Sequence, residues 1–150
     1  MKFSGEVYIT AAREHMDVAV RLYQKQAEPR NYALAHYLAG LAVECTLRAY
    51  LSRITSDFDR VHDLYHLYKA AQFYDIVRTE RAEAVNTALS EMASQWNSNH
   101  RFGSEAALRT HLRSLGMNRG IKGDFLKERT NRMINAAFAV VNVGVLRWTL

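Results

Sequence analysis

The chain has 150 residues, the length of one domain (residues 1–150), and its 49% hydrophobic and 23% charged side chains exclude a disordered chain. A single cysteine, Cys45, excludes an intramolecular disulfide and any multi-cysteine zinc site, and fits a reducing, cytoplasmic setting. The net charge of +5 is local: between Arg109 and Arg132 seven basic and two acidic residues account for all of it.

Apolar residues recur at spacings of three and four, and no stretch alternates long enough for a strand. A first helix is expected over residues 6–27, with Val7, Ala11, Ala12, Met16, Ala19, Val20 and Tyr23 as its apolar stripe. Its leading residues lack an apolar run of signal-peptide length, which points away from secretion. Pro29 stops this helix and opens a second over residues 31–53. Between Tyr32 and Cys45 only His36 and Glu44 are clearly polar, so this helix should be buried on most sides at the centre of a bundle. Gly40 in its middle costs about 1 kcal/mol against alanine, which a close helix crossing there would compensate.

A polar link over residues 55–61 leads to a short helix over 63–73 and another over 79–95. The latter carries Ala82, Val85, Leu89, Met92 and Trp96 at helical spacing. Residues 97–103 read as a loop. Ser104 caps a helix that Gly116 closes, and Asp124 caps the last helix. From Met133 onward that last helix is apolar except for Asn135, Asn142, Arg147 and Thr149, a polar content too costly for a lipid span. The fold class is therefore all-α: an up-and-down helical bundle of four to five main helices plus a short one, with no membrane partner.

The last helix also points to a homodimer. Ile134, Phe138, Val141, Val145 and Trp148 follow one stripe, while Met133, Ala137, Val140, Gly144 and Leu146 cover much of the rest. A peripheral helix sheltered on one side would leave an apolar patch that monomers rarely tolerate. A two-fold copy would bury it.

Few residues carry obvious chemistry. His62 and His66 share a helix face, but two imidazoles alone make a poor metal site, and Asp63 reads as a helix cap. Glu44, in an apolar helix, needs a partner; Arg48 is the local candidate and Arg101 the long-range one, a structural pair that would fix helix register. Cys45 reads as a small buried hydrophobe. No phosphate-binding glycine loop and no nucleophile elbow is present, and no metal or cofactor is expected.

Arg30 and His36 could serve acid–base cleavage of a phosphodiester, the imidazole moving the 2′-hydroxyl proton and the guanidinium steadying the phosphate. The basic segment, with Arg109, Arg113, Arg119, Lys122 and Lys127, is the footprint expected of a phosphate-binding face.

Three stretches resemble a known family. Tyr37–Leu51 (YLAGLAVECTLRAYL), His62–Ala71 (HDLYHLYKAA) and the W-x4-RF of Trp96, Arg101 and Phe102 are similar to the HEPN domain, the higher-eukaryote and prokaryote nucleotide-binding domain. The resemblance implies a helical bundle, commonly homodimeric, that binds nucleotide or RNA. It also implies a place in a toxin–antitoxin, stress or defence system beside a minimal nucleotidyltransferase. Ribonuclease members cut RNA without metal through an R-x4–6-H motif late in the domain. Here the one match, Arg30 to His36, lies early, which places the chain with the non-catalytic or divergent members. The alternatives are a ribonuclease using Arg30 and His36, and a protein–protein adaptor.

Overall fold

The computed structural model describes residues 3–24, 26, 30–56, 62–77 and 79–149. They form six α-helices: α1 (Gly5–Tyr23), α2 (Tyr32–Leu51), α3 (Leu64–Ala70), α4 (Thr79–Ala93), α5 (Glu105–Ser114) and α6 (Phe125–Trp148). Short 3-10 turns follow α3 (Phe73–Asp75) and α4 (Ser98–Phe102), and there is no strand among the described residues. The all-α bundle is as the apolar spacing predicts. No helix among these residues is long and apolar enough to cross a membrane.

The helix starts follow local chemistry. Side chains of Ser4, Asn31, Asp63, Ser104 and Asp124 each accept from a backbone N–H of the first turn, satisfying donors that a helix leaves open. Some ends differ from expectation. The first helix stops at Tyr23 instead of reaching residue 27, because Gln24 is extended and Asn31 N–H donates back to Leu22 O at 3.3 Å. Pro29, the expected breaker, lies outside the described residues, as do residues 57–61 of the polar link. The short helix stops at Ala70, since Gln72 takes a left-handed φ of 52° and the chain restarts as a 3-10 turn.

α2 runs through the middle, packed by α1, α3 and α6, and is buried continuously from Ala42 to Leu51. Gly40 is filled by a side chain and not by a helix crossing: the Trp96 indole lies over it and donates to Tyr37 O at 3.0 Å. The close α2–α6 crossing sits at Gly144 instead, against Thr46, where the Tyr50 hydroxyl donates to Gly144 O.

α6 is more central than its two-faced pattern suggests. It packs on α1, α2 and α4, so Ile134 and Val141 of the expected stripe are buried, Val141 only 3% exposed. Phe138 and Leu146 alone among its large apolar residues face outward. α5 stands apart, held by a satellite core of Leu108, Leu112, Phe125 and Leu126 against Tyr32, Ala33, Met117 and Ile121.

Candidate functional site

One face of α2 carries Leu34, Tyr37, Leu41, Glu44 and Arg48, spaced by three and four so that they line up along the helix. Two polar constellations lie along it. The first is a cleft of about 340 Å³ between the start of α2 and the turn that precedes α5, lined by Arg30, Tyr37, His100, Arg101, Ser104 and Glu105, among others. Tyr37 forms one wall, its ring stacked on Trp96 at 5.9 Å. Burial raises the Tyr37 phenol above its usual value, against the opposing charge of Arg101, so it stays a neutral donor. Arg101 donates to Ser98 O and lays its guanidinium over Phe102, 4.3 Å from the ring centroid. Phe102 is 75% exposed, the most open large apolar side chain described.

Behind this cleft stands a row of imidazoles. The His36 and His100 rings are 5.8 Å apart, and those of His100 and His111 5.3 Å. His100 also walls a neighbouring apolar hollow of about 250 Å³ with Leu108 and His111. Asn97 N–H donates to His100 Nδ1 at 3.3 Å, so the ring proton belongs on Nε2. His36 Nε2 meets Gln95 Oε1 at 3.3 Å, an arrangement that puts its proton on Nε2 and leaves Nδ1 bare. Both His36 Nδ1 and His100 Nε2 are buried without a hydrogen-bond partner among the described residues. Burial, together with the neighbouring imidazoles, lowers both groups to about 4, so His36 and His100 are neutral at pH 7.

The second constellation is Glu44 with Arg48 and His62. Arg48 Nε donates to Glu44 Oε1 at 2.9 Å, and His62 Nδ1 donates to the same oxygen at 2.6 Å. The carboxylate is 4% exposed, so these donors meet the need that its position in an apolar helix creates. Arg101, the long-range candidate, is engaged at Ser98 and Phe102 instead. A charge-bearing side chain one turn away was readable in the sequence; His62 was not, because 18 residues and the polar link separate it from Glu44.

The other expected residues separate. His36 is fully buried in the bundle while Arg30 is exposed at the cleft, so the pair does not meet at one surface and no phosphodiester reaches the His36 ring. Arg109 is no open cation: it bridges Glu105 at 2.8 Å and Asp124 at 2.9 Å, tying α5 to the cap of α6. Arg113 lies over the Phe125 ring at 5.0 Å and is exposed, as are Arg119, Lys122 and Lys127. Cys45 is buried, and burial with the adjacent Glu44 charge pushes its thiol up to about 12, which leaves no thiolate nucleophile. No group of three or more His, Cys, Asp or Glu side chains among the described residues could hold a metal ion.

Fold and site together define an all-α bundle with an arginine-and-aromatic cleft on its rim. No protein-family model, no curated protein and no solved structure matches this chain.

Proposed function

We propose that the chain binds a nucleotide or nucleic acid at the rim cleft, as the resemblance to the HEPN domain implies. One observation carries this reading: Arg101 is stacked on the exposed Phe102 ring at the mouth of a cleft that Arg30 and Tyr37 also line. Guanidinium groups supply phosphate contacts, and an open aromatic face supplies a stacking surface for a base, which is how sequence-tolerant single-strand binding is built. The exposed Arg113, Arg119, Lys122 and Lys127 extend the positive surface beyond the cleft. A role in a toxin–antitoxin or stress system, beside a minimal nucleotidyltransferase, rests on the family resemblance alone. No catalytic step is part of the proposal.

Fluorescence anisotropy with a labelled single-stranded RNA, at several salt concentrations, tests it. Phe102→Ala should remove stacking worth about 1–3 kcal/mol. Arg101→Ala should lower the slope of log affinity against log salt by about 0.7, one phosphate contact on a single strand. An affinity unchanged in both variants would overturn the cleft as the site. Failure of the wild type to retain RNA, DNA or nucleotide would favour the adaptor.

A further inference from the structure

Beside the rim cleft lies the hollow of about 250 Å³ that His100 also walls. Its sides are Ala107, the buried Leu108 and two imidazoles, His100 and His111, which meet edge to face at 5.3 Å. His111 is exposed, so its ring has surface left for a planar guest. The amides of Asn97 and Asn99 complete the wall. Apolar and aromatic sides with a few polar groups at one edge suit a flat heterocycle. The volume lies just under the roughly 300 Å³ at which sites for drug-sized ligands begin, the scale of one ring system and not of a whole nucleotide.

Hollow and cleft are continuous, since His100 and Gly103 line both. Gly103 has φ −84° and ψ 139°, an extended conformation open to any residue, so the backbone does not demand glycine there. A Cβ on it would meet His100 O at 3.5 Å and Ala107 Cβ at 3.9 Å. Two minimal side chains, Gly103 and Ala107, therefore keep the passage between the two spaces, and a large side chain at either place would narrow it.

The edge chemistry narrows the guest. Asn97 Oδ1 accepts Asn99 N–H at 2.8 Å, which fixes the orientation of the amide. Its Nδ2 hydrogens are then what Asn97 offers, and they bond no other described residue. A donor at the rim prefers an acceptor on the guest. Guanine O6 and uracil O4 are acceptors at the position where adenine and cytosine carry an amino donor. We propose that the hollow is a base pocket selective for the keto bases, guanine and uracil. It holds one base of a single strand whose phosphates lie in the cleft, and so rests on the nucleic-acid reading of that cleft. Phe102 stacks a neighbouring base outside the pocket.

Competition between oligouridine and oligocytidine of equal length tests it, because the two differ along the hydrogen-bonding edge of the base and share backbone and charge. The wild-type chain should bind oligouridine at least about fivefold more tightly, the low end of what one base-edge contact discriminates. Ala107→Phe, at an exposed position, should fill the hollow and cancel the preference. Asn97→Asp keeps an oxygen for the Asn99 N–H and replaces the donors with an acceptor, so the preference should invert toward oligocytidine. The added charge weakens both oligomers alike and leaves the ratio readable. Circular dichroism checks that each variant keeps its helices; should Ala107→Phe unfold the bundle, Asn97→Asp carries the test. Equal affinities in the wild type, a wild-type preference for oligocytidine, or a preference for oligouridine unchanged by the folded variants would overturn the pocket while the nucleic-acid reading stands. Retention of neither oligomer would overturn that reading and the pocket with it.

Discussion

His62 Nδ1 and the Glu44 carboxylate meet at 2.6 Å, on the same oxygen that takes Arg48 Nε at 2.9 Å. The two donors are not equivalent. The Arg48 side chain is buried beside the carboxylate, whereas the His62 ring is open to solvent on one side. Arg48→Ala strips a buried carboxylate of the one permanent countercharge bonded to it among the described residues and should cost about 3 kcal/mol. His62→Ala removes a partly exposed hydrogen bond and should cost about 1 kcal/mol or less. Urea unfolding measures both, and a larger loss for the histidine would contradict this ordering.

Acid should loosen the imidazole row. His36 titrates near 4 in the folded chain against 6.5 for a free imidazole, because burial disfavours its charged form. The unfolded chain therefore binds the proton at higher pH than the folded one. Stability is full above pH 6.5, falls as pH drops below it, and stops falling near pH 4. For the fully buried His36 the total loss is about 3 kcal/mol. His100, lowered in the same direction, adds to it, and its protonation would also oppose the Asn97 N–H that its Nδ1 accepts. Unfolding curves across this pH range should flatten in His36→Leu; an unchanged slope would show that the titration lies elsewhere.

Gly40→Ala should displace an entire indole. An added methyl there overlaps the five-membered ring of Trp96, whose N–H would lose Tyr37 O. Overpacking of this kind costs about 1–3 kcal/mol, with about 1 kcal/mol more for the hydrogen bond. The emission of Trp96 should move to longer wavelength as its buried ring is pushed toward water. An unshifted spectrum and unchanged stability would mean that the ring relaxes without leaving its seat.

The basic residues should divide into two classes. Arg109 joins Glu105 to Asp124, so Arg109→Ala should lower stability by about 1 kcal/mol. Its effect on the salt slope of RNA binding should be small. Lys122→Ala and Lys127→Ala, at exposed positions, should leave stability unchanged and each reduce that slope by about 0.7 on single-stranded RNA if they touch phosphates. A salt slope that falls more for Arg109→Ala than for the lysines would reverse this division.

What the sequence reveals and what it hides follow the range of each interaction. The Asp63, Ser104 and Asp124 caps are legible because a cap is settled within four residues. So is the buried course of α2, since a run with only His36 and Glu44 as polar positions has no face to give to water. The end of α1 is not legible: it depends on Asn31 folding back onto Leu22, a contact that no local pattern encodes. The site is harder still. Glu44 announces its need for a partner, but His62 arrives from another element, and the row of His36, His100 and His111 is drawn from three separate segments. The stripe on α6 was legible as apolar, yet its division into core and surface depends on where α1 and α4 lie against it.

The separateness of α5 has a dynamic consequence. Its Leu108 and Leu112 anchor in a satellite cluster and not in the main core that α1, α2, α3, α4 and α6 share. A segment held by few buried apolar contacts opens without the rest of the molecule unfolding. In native-state deuterium exchange the α5 amides should therefore lose protection in a sub-global event, well before those of α2, which open only with the whole chain. The cleft wall made by Ser104 and Glu105 would open in the same event, so occupancy of the cleft should slow α5 exchange selectively. The same amplitude of slowing in α2 and α5 would mean that the domain opens as one unit.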